Sequence, residues 1–288
     1  MKPLRLTLAA LVTWGLSASA AATPPSQSPR NGVLSLRSAG SPAVYLRPLA
    51  FEMGSNEEEV LAALVRCRRE PLPDHCDETT FANETPPHRE HAAGFWMSRT
   101  EVTVAEYGRC VAVDRCGAAG FEGGGLRFQR PNFPVTLVTF DDAKSYCAFR
   151  GGRLPSEAEF ERAARGANRR RYPWGQTYHV KLSNHGRLGV DTTDESDGFA
   201  ELAPVGSFPD GATPEGILDL AGNAAEWTAD LFTPDYGSAP GAERAVRGGS
   251  FSSSAAFIRG ASRSGKAPER REPTLGFRCV WPTRPLSE

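Results

Sequence analysis

Oxygen donors flank a short loop in the C-terminal half of the chain. The segment Gly216-Ile-Leu-Asp-Leu-Ala-Gly-Asn-Ala-Ala-Glu-Trp227 places Asp219 and Glu226 on either side of a Gly-Asn pair. Because Gly and Asn tolerate unusual backbone angles, such a loop can turn carbonyl oxygens inward beside the two carboxylates. Calcium takes about six to eight oxygen ligands of these kinds. The segment therefore favours a calcium site, with metal-free capping of local amides by Glu226 as the alternative.

Six cysteines are a second group that could do chemistry. An even number favours disulfides if the chain is exported, as the pattern of residues 1–22 described below predicts, although six cysteines allow about 15 pairings. Proximity in the sequence favours the pairs Cys67–Cys76 and Cys110–Cys116. The two cysteines that remain would then form the pair Cys147–Cys279. Zinc binding by Cys110 and Cys116 is the alternative for the second pair.

Histidine and charge give weaker signals. His88-Arg-Glu-His91 has a spacing compatible with metal binding, but it lies in a strand-like block, which favours a surface or packing role. The formal net charge of -1 makes neither nucleic acid nor an anionic membrane an expected partner. The short arginine clusters Arg169–Arg171 and Arg270–Arg271 favour solvated surface over a phosphate site.

Helices and strands that could position these groups are predicted mainly in the first half of the chain. Residues 43–54 have the pattern of a strand pair that ends at a glycine turn. Helices are predicted for residues 56–65, 105–113 with Thr103 as N-cap, 140–150, and 154–165 with a Ser156/Glu159 capping box and Gly166 as C-cap. Beyond Gly166 the periodicity almost disappears. A stretch this irregular needs disulfides, bound ions or buried tryptophans to hold it.

The ends of the chain predict export. Residues 1–22 combine a basic start, a short apolar run and an Ala-rich exit, which is the pattern of a signal peptide, and the run is too short to span a bilayer. Residues 23–35 are predicted to be a flexible linker, residues 36–283 one domain, and residues 284–288 a tail. The mature protein is expected to be periplasmic or secreted.

Several motifs together resemble a known family. The blocks Phe95–Val102, Gly152–Phe160, Arg247-Gly-Gly-Ser-Phe251 and Leu275-Gly-Phe-Arg-Cys279 follow the order found in sulfatase-modifying factors, which include the formylglycine-generating enzymes. The resemblance covers about four fifths of the chain. It implies an α+β fold: an irregular single domain resembling the C-type lectins, with little regular secondary structure. It also supports the Cys147–Cys279 pairing.

The resemblance further implies two structural calcium sites. Side chains of Asn184 and Asp197 match the first, together with the carbonyl positions of His185 and Phe199. The second matches side chains of Asp219 and Glu226 and the carbonyl positions of Gly222 and Ala224.

Formylglycine generators hold copper(I) with two cysteines that follow the Gly-Gly-Ser motif. Here that segment is Phe251-Ser-Ser-Ser-Ala-Ala-Phe-Ile258, with Ser253 at the first cysteine position. Serine oxygen does not replace the soft thiolates that copper(I) requires, so copper is not expected. The family cleft corresponds to the candidate residues Ser250, Ser253, Arg259, Arg263 and Trp227, each of which could instead be structural.

Two functions follow from this resemblance. The first is a non-copper binding or accessory module of the cell envelope, expected to be a monomer and to bind an envelope protein or peptide. The alternative is an oxidoreductase, either a formylglycine-generating oxidase acting on sulfatases or a metal-dependent enzyme of small-molecule maturation, as in periplasmic relatives of siderophore pathways. A third alternative, an extracellular glycan binder, rests only on fold analogy and on exposed aromatic residues.

Overall fold

The computed structural model describes residues 42–72, 75–120, 125–188 and 194–285. The predicted signal peptide, the predicted linker and residues 286–288 of the predicted tail lie outside these ranges. All described elements belong to one compact unit, Ser38–Glu288. Its mixture of helices and separate sheets confirms the α+β prediction.

Within the described residues, four α-helices form where local sequence signals predict them: α1 (Glu57–Cys67), α2 (Val104–Val111), α3 (Phe140–Phe149) and α4 (Glu157–Arg165). Each begins with a reciprocal capping box, in which a side chain three residues into the helix returns to the N-cap amide. The predicted Thr103 and Ser156 caps are both present. Gly166 ends α4 with a φ of 58°, a conformation that glycine adopts without steric cost.

The strands of the described ranges form three sheets. The first has the order β1 (Ala43–Leu46), β4 (Phe95–Ser98), β9 (Val280–Trp281), and the second pairs β2 (Leu49–Met53) with β3 (His88–Ala92). The third has the order β7 (Arg263–Lys266), β6 (Arg244–Arg247), β5 (Ala225–Leu231), β8 (Leu275–Gly276). Only the β5–β8 contact among these pairs is parallel.

Strands β1 and β2 correct the prediction of a strand pair. Both strands exist, but β1 pairs with β4 and β2 pairs with β3. Pro48 lies between them, and a proline has no backbone N–H to contribute to a ladder. Their partners come from distant parts of the chain, which local sequence patterns do not specify.

All six cysteines form the predicted disulfides, Cys67–Cys76, Cys110–Cys116 and Cys147–Cys279. The third connects α3 to the segment before β9 across 132 residues. It lies in the largest core cluster, which also contains Trp227 and Phe277. The core thus joins the helical half to the irregular half.

Between α4 and β5 the described residues contain no strand or α-helix, only the short 3-10 helix Pro209–Gly211. This agrees with the predicted loss of periodicity after Gly166. In the part of the chain that the structure covers, no helix is long and apolar enough to cross a membrane.

Candidate functional site

A cleft of about 420 Å³ lies beside the Gly-Gly-Ser motif, between the loop after β6 and the strand β7. We call it the serine cleft, because six serines line it: Ser250, Ser252, Ser253, Ser254, Ser262 and Ser264. Ser250 Oγ lies 3.0 Å from Ser252 Oγ, and the Ser250 amide donates to Ser253 Oγ at 3.0 Å. Ser254 Oγ is buried and has no hydrogen-bond partner among the described residues. The cleft therefore offers hydroxyl donors and acceptors.

Two of the predicted cleft residues, Ser250 and Ser253, line this cavity, and so does Arg263. The Arg263 guanidinium is hydrogen-bonded within the protein. It donates to both Glu157 carboxylate oxygens at 3.0–3.2 Å and to the Asn83 carbonyl at 2.9 Å. Lys266 also lines the cleft, and it donates to Glu272 at 3.0 Å. The side-chain cations of Arg263 and Lys266 are thus paired with carboxylates, and the serine hydroxyls are among the uncharged polar groups of the cleft.

The other two predicted cleft residues lie elsewhere. Trp227 is fully buried in the core, where its indole N–H donates to the Val138 carbonyl at 3.1 Å. Arg259 makes a two-pronged ion pair with the buried Glu84, at 2.6 and 2.9 Å. A buried guanidinium paired in this way has a structural role, since removing either partner would leave an uncompensated charge.

The first predicted calcium set is brought together. Asp197 accepts from the backbone amides of His185 and Phe199, both at 2.8 Å. Asn184 donates to the Glu201 carbonyl at 2.8 Å, while its Oδ1 is buried without a partner among the described residues. None of the backbone hydrogen bonds between described residues ends on the carbonyl oxygens of His185 or Phe199. An unpartnered buried oxygen beside a buried carboxylate fits a hard cation.

The second predicted set contains a partner that sequence analysis missed. Glu226 is buried, and both its oxygens accept from the buried Arg278, at 2.7–2.9 Å. Asp219, in a left-handed conformation with φ of 58°, accepts from the Gly206 amide at 2.7 Å. Beside them lies Glu101, which is fully buried and whose Oε2 has no partner among the described residues. We call Glu101, Asp219 and Glu226 the carboxyl cluster.

Burial raises the pKa of every member of the carboxyl cluster. For Glu101 the pKa is raised well above its usual range, first by burial and then by the charge of Asp219. Arg278 opposes these shifts but supplies a single positive charge. Three ionised carboxylates and one guanidinium would leave two negative charges, which a divalent cation or bound protons can neutralise.

Asn223 connects the two predicted metal sets. Its amide donates to the Asn184 carbonyl at 2.7 Å, and its side-chain Oδ1 accepts from Asn184 Nδ2 at 3.0 Å. Its Nδ2 donates to Glu101 Oε1 at 3.0 Å. The Asn223 carbonyl also accepts from the Phe251 amide at 2.9 Å. One side chain and its backbone therefore tie both sets to the loop that carries the serine cleft.

No three side chains of Asp, Glu, His or Cys form a complete metal-ligand group among residues 42–72, 75–120, 125–188 and 194–285. His88 and His91 lie on β3, where His88 packs against the Tyr236 ring at 4.5 Å. The two predicted calcium sets consequently depend on backbone carbonyls as well as on carboxylates.

Residues 43–283 match the family model of the "Sulfatase-modifying factor enzyme 1-like domain". The chain belongs to this family. The match covers the whole described domain from β1 to the end of β9, including the serine cleft and the carboxyl cluster.

This sulfatase-modifying-factor family member resembles both active and inactive relatives. It is 36% identical over 169 residues to the formylglycine-generating enzyme of Bos taurus, covering 52% of this chain and 44% of that protein. It is 38% identical over 165 residues to the "Inactive C-alpha-formylglycine-generating enzyme 2" of the same species, covering 55% and 53%. A hercynine oxygenase of Mycolicibacterium thermoresistibile is 34% identical over 172 residues, covering 52% and 36%. The chain spans about half the length of the first two relatives.

Solved structures support the same fold. "Structure of PvdO from Pseudomonas aeruginosa" matches with a TM-score of 0.66 and 28% identity, covering 85% of this chain and 94% of that one. "Treponema denticola variable protein 1" matches with a TM-score of 0.59 at 19% identity, covering 84% and 95%, and shows the fold alone.

In this family member all six cysteines are in disulfides, so no thiol is available at the serine cleft. The residues that sequence analysis missed are mainly Glu101, Asn223 and Arg278. Glu101 and Arg278 lie in motif blocks of the resemblance, and Asn223 lies in the loop between Asp219 and Glu226, but no local pattern indicates that these segments converge. The sequence offered one signal for Glu101, a single acidic residue between Thr100 and Val102. The structure shows that this segment is mostly buried.

Proposed function

We propose that this protein is an exported, calcium-stabilised binding or accessory module of the cell envelope, whose serine cleft binds an extended peptide segment of an envelope protein. The observation that carries the proposal is a cleft lined by six serines with every cysteine committed elsewhere. Hydroxyl groups can donate to and accept from a peptide backbone, whereas copper(I) requires thiolates. A cavity of about 420 Å³ is in the size range of ligand pockets.

Calcium would stabilise the irregular half by replacing absent helix and sheet bonds. In the proposal, Asn184, Asp197 and nearby carbonyls would hold one ion, and the carboxyl cluster with the Gly222 and Ala224 carbonyls would hold the second. The unpartnered Asn184 Oδ1 and Glu101 Oε2 support this, because buried polar atoms ordinarily have partners. Since Asn223 joins both sets to the serine loop, bound calcium would also hold the cleft in shape.

Export is supported by the sequence of residues 1–22 and by the three disulfides. Disulfides persist in oxidising compartments such as the periplasm or the extracellular space. An envelope location places the cleft where it could meet peptide segments of other exported proteins.

An oxidoreductase is the second candidate, because several relatives bear the names of enzymes. Formylglycine-generating enzymes and a hercynine oxygenase are both similar to this chain. The relative named inactive is matched about equally well, however, so similarity alone favours neither function.

A variant that fills the cleft separates the two functions. Ser264 is exposed on β7 and lines the serine cleft, so Ser264→Trp should block the cavity without disturbing the core. Ser238→Trp, at an exposed loop position, is the matched control. A peptide array of exported proteins from the same cell should give ligands that bind wild type and the control but not Ser264→Trp.

The same preparations are then assayed for oxygen uptake with copper(I) or iron(II) and a cysteine-containing sulfatase peptide. Turnover that Ser264→Trp abolishes would overturn the module proposal and make the oxidoreductase the function. Array binding that both variants retain equally would exclude the serine cleft as the binding site.

A further inference from the structure

A second concave surface lies apart from the serine cleft, between α1 and the loop that follows α4. Its volume is about 570 Å³. We call it the arginine groove, because Arg66, Arg69 and Arg171 line it together with Tyr172 and Tyr178. All of its lining residues belong to the described ranges, and no lining residue is shared with the serine cleft.

The three arginines have no carboxylate partner among the described residues. Arg66 lies on α1 and Arg69 just after it, and neither they nor Arg171 takes part in any ion pair between described residues. The Arg66 guanidinium stacks on the Tyr178 ring, 4.1 Å from its centroid, and Arg66 Nε is buried without a hydrogen-bond acceptor. A buried N–H without an acceptor is costly, which makes it a place where a ligand oxygen would be stabilised.

The remaining charges of the groove do not cancel this excess. Arg259 reaches the groove, but Glu84 neutralises it through two hydrogen bonds. Glu58 is the one carboxylate residue among those that line the groove, and it is exposed. Among the lining residues, three arginines without an ion-pair partner face one exposed glutamate, on a chain whose formal net charge is -1. Outside the lining, Glu70 acts electrostatically on Tyr172 and Tyr178, and Asp194 acts on Tyr178. The local charge therefore favours an anionic ligand.

An apolar strip borders the arginines. Leu61 and Val65 lie one helical turn apart on α1, line the groove, and are 60% and 45% exposed. They are two of the six large hydrophobic residues that stand out as exposed in the described chain. A small inorganic anion would satisfy the arginines but would leave this strip in contact with water. A peptide that carries both carboxylates and apolar side chains would cover both surfaces.

From this juxtaposition we infer that the arginine groove is a docking site for an acidic peptide segment of a partner protein that presents apolar side chains between its carboxylates. Arg66 and Tyr178 form a pre-ordered stacked pair, so little side-chain freedom is lost when a carboxylate binds there. Arg69 and Arg171 supply the further charges, and Leu61 and Val65 bind the apolar side chains. The inference does not depend on the serine cleft or on calcium.

Binding is tested by fluorescence anisotropy on the full exported chain, with a fluorescein-labelled short peptide that alternates Glu and Leu. Arg69→Glu combined with Arg171→Glu reverses two charges in the groove. Arg89→Glu combined with Arg115→Glu reverses two exposed charges outside it and is the matched control. We expect at least about tenfold weaker binding by the groove variant, unchanged binding by the control, and weaker binding as salt is raised.

The apolar half of the site has its own test. Leu61→Ser should weaken binding of the Glu-Leu peptide several-fold, and a peptide with each Leu replaced by Ser should bind wild type correspondingly less. Thermal melts of each variant show that the fold is retained. Ser264→Trp, which blocks the serine cleft, should leave this binding unchanged, so that a failure of either proposal is distinguishable from a failure of the other.

Three outcomes would overturn the inference. Equal binding by wild type and the groove variant would place the peptide elsewhere. Equal binding of the Leu-free peptide, or full competition by inorganic phosphate, would reduce the groove to a simple anion site. Self-association that Arg69→Glu with Arg171→Glu abolishes, without any peptide binding, would make a second copy of the chain the occupant.

Discussion

Replacing Glu101 by Gln tests the carboxyl cluster most directly. Glu101 Oε1 accepts from Asn223 Nδ2 at 3.0 Å and from the Ala224 amide at 3.3 Å, and a glutamine oxygen can keep both bonds. The exchange therefore removes one negative charge and preserves shape. In a chelating buffer we expect Glu101→Gln to be as stable as wild type or more stable, because burial raises the pKa of this carboxyl and disfavours its charge.

The effect of Glu101→Gln on calcium-dependent stability can be calculated from Coulomb's law and mass action. At about 5 Å from the ion and an effective dielectric constant of about 20, the Glu101 charge attracts each unit charge of the ion by about 3 kcal/mol. Losing this attraction is enough to weaken calcium binding about a hundredfold or more. At calcium about 100-fold above the dissociation constant, one site stabilises the wild type by about 2.7 kcal/mol, and a hundredfold weaker site by about 0.4 kcal/mol. For a domain of this size the calcium-dependent rise in Tm should fall from about 5–11 °C to about 1–2 °C per site.

Differential scanning calorimetry in calcium and in chelator measures both quantities, and Glu78→Gln, at an exposed position, is the control. A calcium-dependent rise in Tm that is the same in Glu101→Gln and wild type would refute the assignment of Glu101 to a cation site. A large loss of stability in chelator would show that the carboxylate charge itself is needed for folding. No calcium effect on the wild type would refute both proposed sites.

Further outcomes follow from the buried charges and the long disulfide. Glu161→Gln removes the carboxylate that lies 2.5 Å from the buried Arg247 and leaves Glu157, 3.8 Å away, as the remaining charge partner, so denaturant unfolding should show a loss of about 3 kcal/mol. Replacing Cys147 and Cys279 by Ser opens a loop of 132 residues and should cost about 5 kcal/mol relative to oxidised wild type in the chain-entropy model, as measured by denaturant unfolding. The pKa of each member of the carboxyl cluster is raised on folding, so the folded state binds protons more tightly there than the unfolded state does. In chelator, the stability contributed by this cluster should therefore increase as pH falls from neutral toward the unfolded pKa values of about 4. Over the same range the calcium-dependent rise in Tm should shrink, because protons compete with the ion. Thermal melts at several pH values that show a constant calcium effect would contradict this.

Sequence determined the helices, two of the disulfides through their short spacing, and the family of this protein through its motifs. Ser156 and Glu159 form a capping box within four residues, and Gly166 ends the same helix, so these signals need no distant partner. Short spacing similarly favoured Cys67–Cys76 and Cys110–Cys116. The order of the motifs predicted the family, and membership of the family predicted the irregular α+β fold.

Only the tertiary structure determined which charged side chains form ion pairs with distant residues and which do not. Arg259 and Arg263 are indistinguishable in sequence from cleft arginines, yet Glu84 and Glu157, each more than 100 residues away, neutralise them. Glu101 joins Asp219 and Glu226 only because the loop before α2 packs against the start of β5. The chain also places Arg66 and Arg171 in one groove, although about 100 residues separate them. Burial and charge compensation depend on contacts between distant segments, and no local pattern encodes those contacts.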